Sequence, residues 1–277
     1  MRKLLSAGMV RFMRCKSLWL SCLIVAGFEA AAIMENYLGG VEFGLFPDID
    51  SIYFLFVLTI IFLVPVTVAF LIGPKYGDGA IRNKLVTGST RRDVYLANLI
   101  LSSMSAAVMC APGVVLGLAL GLPLLGSFEA GAAAAAMKIL AVFIMAIAIA
   151  AISTTVMMLV DNRTVSSIAI IILAILMFAA GFYIHMRLDA PPTVVKSTTF
   201  VNGVLSSVEE APNPAYIEPG LLREVLSFLD IALPGGQAMN FIMDTAEVPW
   251  LMASYSAAIF VLMTVFGLSQ FKKKDLR

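Results

Sequence analysis

Ile52–Ile72 reads IYFLFVLTIIFLVPVTVAFLI and runs directly into Gly73–Asp93, GPKYGDGAIRNKLVTGSTRRD. The first stretch carries no charged residue, and about 20 apolar residues cross the ~30 Å hydrocarbon core of a bilayer as a helix. The second is polar and basic. An abrupt change of this kind reads as a membrane span leaving the lipid into an aqueous loop. Working outward, five further apolar stretches are long enough to span: Leu18–Met34, Val94–Gly121, Ala133–Val160, Val165–His185 and Val248–Gln270. None shows the period-two alternation of a transmembrane strand, so helices must satisfy the backbone in lipid. The chain has 277 residues, 60% of them hydrophobic and only 13% charged. A soluble domain of that length needs more charge to cover its surface. The expected fold is all-α and integral to the membrane, with six transmembrane helices in one domain over residues 1–277.

Basic residues orient such a bundle, since loops rich in Lys and Arg stay on the cytoplasmic side. Arg2, Lys3, Arg11, Arg14 and Lys16 precede the first segment. Lys75, Arg82, Lys84, Arg91 and Arg92 separate the second from the third, and Arg163 the fourth from the fifth. Lys272, Lys273, Lys274 and Arg277 follow the sixth, making 15 of the 19 Lys and Arg on one side. The opposite side is acidic. Both termini and the 73–93 loop are therefore expected in the cytoplasm of a multi-pass protein. The net charge of +1 gives no reason to expect a nucleic-acid partner. The first segment is expected to be a retained anchor despite Ala30-Ala31-Ala32, because its basic leader is long. Cys15, Cys22 and Cys110 fall in cytoplasmic or membrane positions, so no external disulfide is expected.

Residues 1–16 set apolar Leu4, Leu5, Met9, Val10, Phe12 and Met13 between the cations, a pattern that fits an interfacial amphipathic helix attracted to anionic lipid, or else a plain basic flank that sets topology. The connection from Met186 to Glu247 spans 62 residues and predicts a small external helical cap. Its first part is polar and flanked by prolines. Gly220–Leu233 then has helical apolar spacing, Pro234-Gly235-Gly236 breaks it, and Gln237–Met243 is too short to span but suits a dip into the outer leaflet. Gly113, Gly117 and Gly121 make a small-residue ridge for close helix packing, within the chain or at a dimer seam.

Within the 73–93 loop, Gly79–Val86 can form a short helix stopped by Gly88. Thr90-Arg91-Arg92-Asp93 reads as an N-cap with an acid three residues on, starting the third span inside the cytoplasm. Tyr76–Arg92 together with Val94-Tyr95-Leu96-Ala97-Asn98 resembles the loop of ABC-2-type permeases, the membrane subunits of many bacterial ABC transporters. Asn213-Pro-Ala-Tyr216 and Leu229–Ala238 (LDIALPGGQA) are similar to that family's outer region, while Gly73-Pro74 departs from the acidic residue expected there. The resemblance implies that the loop is a cytoplasmic coupling helix seated in a separate ATPase through Asp78, Ile81, Arg82, Asn83, Lys84 and Leu85. It also implies re-entrant outer helices before the last span and a bacterial cytoplasmic membrane. A complex of two permeases, as homo- or heterodimer, with two ATPases follows from it. No P-loop pattern occurs, so ATP and Mg²⁺ are expected on the partner ATPase, with no cofactor and no catalytic or metal site in this chain. The implied function is export of an amphipathic or hydrophobic substrate such as a peptide, drug or lipid.

Glu29 lies inside the first segment, where a carboxylate is expensive and a functional role is the first hypothesis. Three placements are open: contact with substrate, pairing with Lys138, or reach to the outer interface. His185, the only histidine, is expected at the outer interface. Other functions compete with ATP-driven export. A secondary transporter would use Glu29 as a proton relay, and an immunity or signalling complex would share the architecture while moving little cargo. An intramembrane hydrolase finds few residues to work with, since there is no HExxH and no pair of intramembrane aspartates.

Overall fold

The computed structural model describes residues 2–44, 48–77, 88–160, 162–201 and 204–273. Six helical stretches are long and apolar enough to cross a membrane, at Lys16–Phe43, Ile49–Pro74, Arg91–Leu125, Gly131–Leu159, Arg163–Leu188 and Pro249–Lys273. The protein is an all-α, multi-pass membrane bundle.

Before the first span, α1 (Arg2–Met13) packs on the third span, where a Cβ at Gly8 would run into Leu101, and its Phe12 is buried. A two-residue turn leads into α2 (Lys16–Phe43), which Gly44 ends in the left-handed region, at φ 68°, with its N–H on the Gly40 carbonyl. The helix runs to Phe43, nine residues past the Met34 end expected for the first segment. The second span begins with α3 (Ile49–Ile52), breaks over residues 53–55, and continues as α4 (Phe56–Gly77). The third is α5 (Arg91–Leu116), a π-helical turn over Gly117–Gly121, and α6 (Leu122–Leu125). The Thr90 side chain accepts the Asp93 N–H at 3.1 Å, so the cap read from the sequence starts α5. Next come α7 (Gly131–Leu159) and α8 (Arg163–Leu188), the latter capped by the Asn162 side chain. The final span is α11 (Pro249–Lys273).

Burial sorts the spans. In the most apolar window of the second and fourth spans 61% of residues are buried, against 22% for the fifth and the sixth. So α4 and α7 form the centre, while α8 and α11 turn Ile168, Ile172, Ile175, Leu262, Val265 and Phe266 outward. Water would reject such faces, and lipid accepts them.

Among the described residues, Arg91, Arg163, Lys272 and Lys273 lie at one end of the bundle. There Arg91 donates to the Phe271 and Lys272 carbonyls at 3.5 and 3.2 Å, and a Cβ on Gly73 would sit 3.2 Å from Arg163 Cγ. At this end Gly88 adopts φ 90°, a backbone conformation that favours glycine. The expected coupling helix Gly79–Val86 lies outside the described residues, as do all six residues assigned to ATPase coupling: Asp78, Ile81, Arg82, Asn83, Lys84 and Leu85.

The opposite end departs from expectation again in its long connection. The proline-flanked part of the long outer connection contains a β-hairpin, β1 (Thr193–Val201) antiparallel to β2 (Val204–Pro212), with register shifts at Val195/Ser197 and Thr199/Phe200. Its Val- and Thr-rich first strand favours an extended backbone. Beyond it lie α9 (Leu221–Ala232) and α10 (Pro234–Ile242), bent by 84°.

Candidate functional site

The α9–α10 corner is the most elaborately built feature of the acidic end. Leu233 is extended, at ψ 141°, and Pro234 opens α10 at a position where its missing N–H costs nothing. Every residue from Pro234 to Phe241 is buried. Gly235 allows this by touching α8: a Cβ there would fall on the Met177 carbonyl, and one on Gly181 would strike the Gly235 backbone. No other residue type lets the two backbones approach so closely.

Burying a helix with polar residues requires partners for them. Gln237, fully buried, donates from Nε2 to the Ile231 and Met252 carbonyls at 2.9 Å each and to Ala232 at 3.5 Å, and accepts from Ser256 Oγ at 2.6 Å. It thereby satisfies the end of α9 and ties it to α11. Asn240 donates to Asp230 Oδ2 at 2.6 Å and to the Gly236 carbonyl at 3.0 Å. His185 Nδ1 donates to the same carboxylate oxygen at 3.1 Å, and Thr245 Oγ1 stands 3.4 Å from its Nε2. His185, in the last turn of α8, is 6% exposed and held against the corner rather than turned outward. Beside it Lys138 pairs with Asp244 at 2.5 Å, on a backbone turn where Asp244 takes φ 55°. Aspartate tolerates that conformation better than most residues.

Under the corner lies a cavity of about 330 Å³, walled by Ile152, Leu176, Met177, Ile184, Leu233, Met263 and their neighbours. Its lining is almost wholly apolar, so it suits a hydrocarbon group and repels ions. No group of three or more His, Cys, Asp or Glu among the described residues is placed to hold a metal.

Glu29 sits elsewhere. It reaches neither Lys138, which Asp244 occupies, nor the outer surface, because it is fully buried. Its Oε2 accepts the Phe56 N–H at 3.1 Å, and Phe56 is the first residue of α4. The carboxyl therefore caps a helix from another helix: the break at residues 53–55 leaves an orphan N–H at a positive helix end, and α2 supplies the acceptor. Its Oε1 has no partner among the described residues and faces Gly117 of the π-helical turn.

The glycine ridge serves the same region from α5 and the π-helical turn that follows it. A Cβ on Gly113, Gly117 or Gly121 would meet Phe56, Tyr53 and Ile49 respectively. All three glycines therefore admit side chains from the second span of the same chain.

The corner's polar set was not singled out from the sequence. A signal existed: Gln237 and Asn240 interrupt an apolar run just after Pro-Gly-Gly, where lipid or core would charge heavily for unpaired amides. No family model matches this chain, and a search of curated proteins found no match.

Proposed function

We propose that this chain is the membrane-spanning subunit of an ATP-driven transporter of the ABC-2 permease type, moving an amphipathic or hydrophobic cargo. The observation that carries the reading is the right-angled pair Leu221–Ala232 and Pro234–Ile242, set immediately before the last span of a six-span bundle. That is the arrangement the family resemblance of Leu229–Ala238 implies. Support comes from the other end, where Gly88, the capped start of α5 and the carboxy-terminal end of α11 gather around the ends of the Gly-framed basic loop. The apolar cavity beneath the corner agrees with a greasy cargo.

In this reading the basic end faces the cytoplasm of a bacterial cell, as the distribution of Lys and Arg favours. Asp78, Ile81, Arg82, Asn83, Lys84 and Leu85 dock on a separate ATPase, which alone binds ATP and Mg²⁺. Two permeases and two ATPases make the working unit. ATP binding draws the ATPases together, and the loop passes that movement to the bundle as a shift between two conformations. Export is the direction that the resemblance implies.

The test is co-purification from the native membrane in mild detergent. The parent chain should retain an ATP-hydrolysing polypeptide, and Arg82→Glu with Lys84→Glu should lose it. Retention of an equally active ATPase by the charge-reversed chain would end the docking assignment.

A further inference from the structure

We propose that the groove between α1 and the basic end of α4 is a binding site for the phosphate headgroup of an anionic glycerophospholipid. The groove encloses about 470 Å³ and is lined by Ala7, Val10, Arg11, Arg14, Phe70 and Pro74, among others. Its chemistry is divided. Arg11, in the last turn of α1, and Arg14, just past its end, are three residues apart and both are exposed. Neither guanidinium has a carboxylate partner or a side-chain hydrogen bond among the described residues. The rest of the lining is apolar, and Val10, Met13 and Phe70 around it are each 55% exposed.

Each half of that arrangement calls for a different half of one molecule. Paired guanidinium forks match the tetrahedral oxygens of a phosphate, and do so with more directional hydrogen bonds than ammonium groups. An exposed valine, methionine and phenylalanine beside them are unfavourable in water but suit an acyl chain. The groove also lies where such a molecule would be. Pro74 is at the end of the second span, Arg14 lies in the two-residue turn before α2, and Trp19 in the first turn of α2 places its indole N–H on the Met13 carbonyl at 2.9 Å. Indoles settle at the headgroup layer, and basic pockets beside spanning helices bind anionic headgroups. A soluble phosphate would use the arginines and leave the apolar wall wet. A lipid uses both. The site depends on the bundle and the groove, and stands whether or not the chain couples to an ATPase.

The experiment uses the full chain reconstituted in mixed phosphatidylglycerol and phosphatidylcholine, then extracted in mild detergent, with retained lipids counted by native mass spectrometry. The parent should retain phosphatidylglycerol over phosphatidylcholine by about thirtyfold, the ratio expected from ~1 kcal/mol per arginine near a headgroup. Arg11→Gln with Arg14→Gln should bring the two lipids to parity, and Lys272→Gln with Lys273→Gln, at the same end of the bundle, should leave the preference intact. Equal retention of both lipids by the parent overturns the proposal without reference to any variant. So does an unchanged preference in the arginine variant, or an equal loss in the lysine variant, which would reduce the effect to bulk charge. Displacement of the bound lipid by millimolar inorganic phosphate alone would make the groove a free-anion site and overturn the lipid assignment.

Discussion

Gln237→Ala should loosen the helix corner, and the structure sets the size of the effect. Gln237 is fully buried and its amide joins α9, α10 and α11 through the Ile231, Ala232 and Met252 carbonyls and Ser256 Oγ. Truncation does not orphan all of them. Ser256 can turn to the Met252 carbonyl, four residues back on its own helix, which Gln237 vacates. The Ile231 and Ala232 carbonyls have no such substitute and would be left in an apolar pocket. Such groups cost about 1–3 kcal/mol in all, and the space left by the side chain adds about 1 kcal/mol. The expected loss is about 2–4 kcal/mol, which for a chain of this size lowers the thermal midpoint by about 3–7 °C. Gln237→Glu keeps the shape but puts an acceptor against carbonyls, so it should lose at least as much. Ser256→Ala, leaving only Gln237 Oε1 unpaired, should cost about 1–2 kcal/mol. The assay is thermal unfolding in detergent across the four-variant cycle, where the double variant should fall short of the summed single losses by at least ~0.5 kcal/mol. A Gln237→Ala midpoint within about 1 °C of the parent, or strict additivity, would show that the amide does not hold the corner.

The remaining expectations concern three other places. Glu29→Gln retains an acceptor for the Phe56 N–H and should preserve both folding and ATP-driven transport, whereas Glu29→Leu should lose about 1–3 kcal/mol in thermal unfolding. Abolished transport in well-folded Glu29→Gln would instead favour the proton-relay mechanism. Gly235→Ala forces a methyl group onto the Met177 carbonyl and should cost about 1–3 kcal/mol or more, seen as a lowered midpoint and aggregation on size-exclusion chromatography. Unchanged behaviour would mean that the α8–α10 contact is looser than the structure has it. Asp244→Asn leaves Lys138 without its counter-charge inside the bundle and should destabilise by about 1–3 kcal/mol, while Lys138→Met should cost less because it removes the charge with its need. The reverse order in thermal midpoints would refute the pairing argument.

The spans were legible because lipid imposes one simple demand, an apolar helix of sufficient length, and Ile52–Ile72 meets it without reference to any other residue. Local chemistry was legible for the same reason. Thr90 caps α5 three residues ahead of Asp93, and both lie in one turn of chain. The glycine ridge predicted close packing, though not that Phe56, Tyr53 and Ile49 would fill it. What stayed hidden depends on tertiary position. Lys138 finds Asp244 across 106 residues, so Glu29 could be offered to it in error, and Glu29 finds its N–H only because the second span breaks after Ile52. The Asp230–His185–Asn240 cluster exists only once an 84° bend folds α10 back onto α9. The β-hairpin was concealed by its setting, since Thr193–Pro212 has strand-forming residues but sits among prolines that read as irregular chain.

Whether a separate ATPase serves this membrane subunit is decided by the native mass of the complex extracted from its own membrane. One assembly containing two permease chains and two ATP-hydrolysing polypeptides is expected, whose hydrolysis in proteoliposomes falls when Arg82 and Lys84 are replaced by glutamate. A chain that leaves the membrane without an ATPase, and still moves cargo in liposomes free of ATP, would contradict it.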